Sequence, residues 1–361
     1  MIRACAVSAL LLTAAAPAFA LQDGEYSTAV AATAQSDIIP AYQALEQAAE
    51  RLQEGLDSLC AAPDTAALED ARRQFADIAA AWAKIQYVSF GPVDEHQRAF
   101  RIEYWPDKRN IVGRQLAGVL KEQDKSALGP QRFAATTVGV QGLPALDRML
   151  FEEKALVEVK PGSFRCALFA AIGGNLKTIA HDIVAGWSEG DPSFLARIEH
   201  PSEEDEVVPS GRDAAARLLN DLLTATIAMR DMKLLAPLGD SLEKAKPQAA
   251  EFWRSGQSVA MLKGNLQGLR ALAGTDHGLG ALLAAQPDGK ATANELAAAI
   301  DRASGSLDKI TRPLDRAVAD PQQRKQVEAL AEQLQELRDL IAGPMATRLN
   351  LPIGFNALDG D

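Results

Sequence analysis

From Ile38 onward the apolar residues recur with a helical period. Ile38, Tyr42, Leu45, Ala49, Leu52, Leu56 and Leu59 step by alternating fours and threes, which makes one apolar stripe on a helix of about six turns. Pro63-Asp64-Thr65 breaks and recaps the chain. A second stripe follows in Leu68, Phe75, Ile78, Trp82 and Ile85, and Gly91-Pro92 stops it. An irregular stretch holding Trp105-Pro106-Asp107 leads into a shorter helix marked by Val112, Leu116 and Val119. Residues 135–153 carry a helical pattern with Pro144 inside it, so the helix must kink or restart there. Phe164 to Trp187 is another long helix, with Phe169, Ile172, Leu176, Ile179 and Ile183 on one face.

The polar, proline-bearing stretch from Ser188 to Ser210 interrupts this pattern. It carries Glu203-Glu204-Asp205-Glu206, read as a solvated acidic surface, and residues 191–210 are the linker candidate. Helical stripes resume with Leu218, Leu222 and Met229, then Phe252 to Leu269, Leu296 to Ile310, and Val327 to Ile341. No stretch alternates with period two. The pattern predicts an all-α protein of two helical-bundle halves with long antiparallel helices, residues 21–190 and 211–361.

The first twenty residues read differently. Arg3, the apolar run Ala6–Ala16 and Ala18-Phe19-Ala20 make a cleavable signal peptide, cut after Ala20, and place the mature chain in the periplasm. With 37 Lys+Arg against 48 Asp+Glu in 361 residues, the chain is acidic, which argues against nucleic acid as a partner. No other apolar run is long enough to span a membrane. The full chain has 3 Cys, and Cys5 leaves with the signal. Cys60 and Cys166 remain, and in an exported protein they read as a disulfide, the alternative being two buried thiols. Such a bond would close a loop of about 105 residues and stabilise by about 4–5 kcal/mol in the chain-entropy model.

The chemistry is carried by costly residues at breaks. The sequence has no His-Glu-x-x-His, no Gly-rich phosphate loop, no G-x-S-x-G and no C-x-x-C. His96, His181, His200 and His277 are scattered and read as surface residues. Irregular segments, by contrast, mix aromatic, basic and acidic side chains: Phe90-Gly91-Pro92, Tyr104-Trp105-Pro106-Asp107-Lys108-Arg109, Gln141-Gly142-Leu143-Pro144 and Trp253-Arg254-Ser255-Gly256-Gln257-Ser258. Such clusters can orient polar groups in a cleft, or can simply plug a core and cap helices. The cleft reading names Arg101, Trp105, Asp107, Arg109, Gln141, Asp147, Arg254 and Ser258 as ligand-binding residues between the halves, with Asp107 and at least one of Arg101 and Arg109 lining the cleft.

In order along the chain, Trp82…Gln86…Phe90-Gly91-Pro92, Arg101…Tyr104-Trp105-Pro106-Asp107, Val140 to Phe151, Ala250 to Ser258 and the terminal Leu351 to Asp361 resemble the imelysin-like family, the later two its periplasmic branch. The resemblance covers essentially the whole chain after residue 20. It implies an all-helical periplasmic protein of two bundle-like halves, a site between them, a link to iron uptake and a peptidase label. The family signature Gly-x-His-x-x-Glu would set His and Glu one turn apart, fit to share a metal. Here the aligned word is Gly142-Leu143-Pro144-Ala145-Leu146-Asp147, with Pro144 at the His position and Asp147 at the Glu position. The expectation is a non-catalytic binding or accessory protein for iron acquisition. Its partners would be a small ligand, iron or another divalent metal, or uptake proteins of the periplasm and outer membrane. The alternatives are a divergent metallopeptidase, needing His96 or His181 to replace the lost ligand, and a protein-interaction module.

Overall fold

The computed structural model describes residues 21–354, and they form helices and loops with no strand among them. Residues 1–20, which carry the expected signal peptide, and residues 355–361 of the terminal motif lie outside the described residues. Helix α1 (Asp23–Thr33) passes through a π-helical turn, Ala34–Ile38, into α2 (Ile39–Ala61). The stripe read from the sequence is the buried face of α2, and that of α3 (Thr65–Ile85) is buried likewise. Asp64 starts α3 as expected of a cap, its side chain accepting the Ala67 N–H at 2.7 Å.

After α3 the chain runs through loops and short helical turns, among them Pro130–Ala134 and Ala155–Glu158, that flank α4 (Arg98–Ile102), α5 (Ile111–Glu122) and α6 (Leu143–Phe151). Of the two outcomes open at Pro144, the chain takes the restart: Pro144 lies in the first turn of α6, where its missing N–H has no helical partner to lose. Helix α7 (Phe164–Ser188) then packs along α2, and α2 along α3. Cys60 near the end of α2 and Cys166 in the first turn of α7 are joined by a disulfide, Cα to Cα 5.5 Å.

The 191–210 segment is packed against the body. It contains α8 (Phe194–Glu199), whose Phe194 meets Trp187 edge-on at 4.9 Å, and Ile198 and Val208 are buried. Its acidic run is not uniformly solvated. Glu203, Glu204 and Glu206 are exposed, but Asp205 takes the Arg197 guanidinium in a fork of two 2.6 Å bonds, which holds its carboxyl far below the usual range.

Beyond it come α9 (Gly211–Ile227), a π-helical stretch Ala228–Leu235, α10 (Ser258–Leu272), α11 (Gly278–Ala284), α12 (Gly289–Leu307) and α13 (Pro321–Leu340). Helix α1 crosses to this group and packs on α9 and α11, and Asp23 accepts the Gly211 and Arg212 N–H groups at 2.8 Å each. Helix α10 packs on α3 at close range: a Cβ at Gly268 would stand 2.0 Å from the Lys84 carbonyl oxygen. The buried apolar side chains consequently form one continuous core.

Candidate functional site

Helix α6 and the loop before α5 face the π-helical stretch and the loop before α10 across a cavity of ≈ 320 Å³. Trp105, Asp107, Pro144, Asp147 and Arg148 line one side, and Asp231, Met232, Phe252, Trp253 and Arg254 the other. Asp107 is where it is because it starts α5, accepting the Ile111 and Val112 N–H groups at 2.6 and 3.0 Å. Asp147 is buried on α6, and its Oδ1 accepts the Ser255 N–H at 3.1 Å. Burial pushes its carboxyl above the usual range, against the lowering pull of Ser255 and Arg254. The Arg254 guanidinium lies 4.3 Å from the Trp253 ring centre, and burial, then the nearby charge of Arg148, lowers its pKa.

Of the eight sequence-predicted site residues, the structure brings Trp105, Asp107, Asp147 and Arg254 together at this cavity. The other four stand elsewhere. Arg101 donates to Gln141 Oε1 and Asn175 Oδ1, both at 2.8 Å, and Gln141 donates to the Thr136 carbonyl at 2.6 Å, so these two are engaged in tying the loop before α6 to α7. Arg109 is exposed, and the arginines at the cavity are Arg148 and Arg254 in place of Arg101 or Arg109. Ser258 is buried and donates to the Glu251 carbonyl, closing the turn that carries Trp253 and Arg254. Nearness to Trp105 in the chain does not bring Arg101 and Arg109 to this cavity, because irregular backbone turns neighbouring side chains to different faces.

Behind the cavity wall lies a buried polar cluster that sequence reasoning missed. Lys233 and Glu251, each 1% exposed, pair at 2.8 Å. The Lys233 ammonium also donates to Gln86 Oε1 at 3.0 Å and Asn265 Oδ1 at 2.8 Å. Glu103 accepts the Trp82 indole N–H at 2.8 Å. Burial first and Glu251 second push the Glu103 carboxyl well above the usual range. The π-helical stretch is what sorts the residues, since Asp231 and Met232 reach the cavity while Lys233 points into the core. Trp105 and Met232 are also walls of a second recess of ≈ 210 Å³, floored by Glu103, Gln86 and Tyr87. The only hint in the sequence was a lysine among Met232, Leu234 and Leu235.

The metal that the resemblance implies does not fit these residues. Pro144 stands where an imidazole is needed, and one oxygen of Asp147 is taken by a backbone N–H. Among the described residues no group of three or more His, Cys, Asp and Glu side chains could hold an ion. His181 pairs with Glu46 at 2.8 Å and His277 with Asp37 at 2.5 Å, while His96 and His200 are exposed.

Comparison with known proteins puts a family beside this geometry. The Imelysin family model matches residues 38–341. Iron-regulated protein A of Synechococcus elongatus is 20% identical over 233 residues, 64% of this chain and 59% of that protein, so the chain spans less than two thirds of its relative. An imelysin-like protein from Psychrobacter arcticum has the same fold, with a TM-score of 0.75 at 23% identity, covering 93% of this chain and 98% of that one. A Parabacteroides distasonis protein described as an iron-regulated protein A precursor also scores 0.75, at 15% identity, over 92% of this chain and 97% of its own.

Proposed function

The chain belongs to the imelysin family, and on that premise we propose that it is a periplasmic, non-catalytic binding or accessory protein that serves iron uptake. In this reading residues 1–20 are the export signal, 21–190 and 211–361 are two helical halves joined by 191–210, and the ligand sits where they face each other. One observation carries it. The degenerate signature word lines a cavity that is otherwise suited to a small molecule, with Pro144 and the backbone-bonded Asp147 at the wall where the family pattern would set metal ligands. A metallopeptidase needs about three protein ligands and an open position for water. The iron link is supported by the names of the relatives in Synechococcus and Parabacteroides. In the described residues no helix is long and apolar enough to cross a membrane, which agrees with a protein that meets its partners on the periplasmic side.

The test is peptidase activity against metal content. Purified protein with added zinc or ferrous iron is expected to cleave no peptide, and Pro144→His alone is expected to create no chelator-sensitive cleavage. Cleavage by the natural sequence that a chelator and Asp147→Ala each abolish would overturn the binding-protein reading.

A further inference from the structure

We propose that the cavity takes a small organic anion with an apolar body, its negative group held by Arg254 and Arg148. This assignment rests on the reading of the cavity as a ligand site. Three acidic and three basic side chains line it, so formal charge decides nothing. What decides is how each is already engaged. Both oxygens of Asp107 accept backbone N–H groups of α5, Asp147 is buried against the Ser255 N–H, and Asp231 pairs with Arg230.

The cations are engaged far less. Arg148 gives one N–H to Asn110 Oδ1 at 2.5 Å. Arg254 has neither a hydrogen-bond acceptor nor an ion-pair partner among the described residues, and its close neighbour is the face of Trp253. A guanidinium stacked on an indole keeps its in-plane N–H fork available, a shape that matches a carboxylate. It is also half-buried, and desolvation and the like charge of Arg148 act on it more strongly than the opposing pull of Asp147 and Asp107, both of which are already engaged with backbone N–H groups. An anion placed between the two arginines relieves the repulsion and supplies the missing acceptors; a cation would add to the repulsion. The rest of the wall, Trp105, Pro106, Phe252 and Trp253, presents apolar surface to the body of the ligand. If iron enters this cavity, the same argument has it arrive inside a negatively charged organic chelate, because the wall offers guanidinium groups where a bare cation would need open carboxylates.

The experiment compares three probes of one shape and different charge: 1-naphthoate, 1-naphthylmethanol and 1-naphthylmethylamine. Each is titrated into the purified protein by calorimetry at 20 and 200 mM salt. Naphthoate is expected to bind at least tenfold more tightly than the alcohol or the amine, with the advantage shrinking at the higher salt. Arg254→Gln is expected to remove that advantage while changing the alcohol's affinity less than twofold, and Arg148→Gln to reduce it; unchanged circular dichroism and Tm show that both variants fold. The anion assignment is overturned, with the ligand site left standing, if the amine or alcohol binds as tightly as naphthoate or if Arg254→Gln leaves naphthoate unaffected. Failure of all three probes to bind the natural protein overturns the ligand-site reading itself, and the assignment with it.

Discussion

Replacing Lys233 by Met tests whether the buried cluster is a matched set. The ammonium has two acceptors, Asn265 Oδ1 at 2.8 Å and Gln86 Oε1 at 3.0 Å, and an ion-pair partner in Glu251 at 2.8 Å. Their losses differ. Gln86 Oε1 keeps a donor, the Asn265 amide at 2.7 Å, whereas Asn265 Oδ1 loses its ammonium and Glu251 its counter-ion. A buried acceptor left without a donor costs about 1–3 kcal/mol, and breaking a buried ion pair by removing one partner costs about 3–5 kcal/mol. Lys233→Met is therefore expected to destabilise by about 4 kcal/mol, the lower end of the two costs added, measured by urea unfolding. With an unfolding entropy of about 2.1 cal/mol/K per residue, a chain of this size should lose roughly 6 °C in Tm. Lys233→Met with Glu251→Gln removes the unpaired charge and leaves chiefly the Asn265 acceptor, so it should recover about half or more of the loss. A loss below about 1 kcal/mol for the single variant would refute the reasoning, as would a double variant at least as unstable as the single one.

Asp221 gives a pH prediction. Burial raises its carboxyl from 3.8 to about 7, although Ser89 donates to it through both its N–H and its hydroxyl. A carboxyl raised on folding contributes full stability below its unfolded value and loses it as pH climbs to the folded one. This group should therefore cost about 1.4 kcal/mol per pH unit between roughly pH 4 and 7. Asp221→Asn should flatten that component in urea unfolding across the range, and identical slopes for the two proteins would count against it. Changing both Cys60 and Cys166 to Ser opens the closed loop and should cost about 4–5 kcal/mol; a calorimetric Tm within about 1 °C of the natural protein would contradict it.

The helical class and the buried stripes of α2, α3 and α7 were legible because period is a local property: Leu45, Leu52 and Leu59 share a face whatever packs on it. The caps were legible for the same reason, as Asp64 acts on an N–H three residues away. Even the disulfide could be read, from two cysteines at helix ends in a chain whose first twenty residues read as an export signal. Trp105, Asp107, Asp147 and Arg254 were recognisable as costly residues at breaks, and the cavity gathers them.

Which side of a break a residue faces was not legible. Arg101 and Arg109 flank the same tryptophan, yet one ties Gln141 to Asn175 and the other meets solvent, because loop backbone has no period to carry orientation. The crossing of α1 onto α9, and the cluster of Glu103, Lys233, Glu251 and Asn265, were likewise decided only in three dimensions. These four residues are spread along the chain over more than 150 positions, and each reads in isolation as an ordinary surface polar residue. What makes them a unit is burial, which sets Glu103 against the Trp82 indole and Lys233 against Glu251, Gln86 and Asn265. The sequence by itself determined the helices, their apolar faces and their starts, since those follow from contacts within a few turns. The tertiary structure alone decided which faces meet, and with that which charges lie unmatched at the cavity and which are paired behind it.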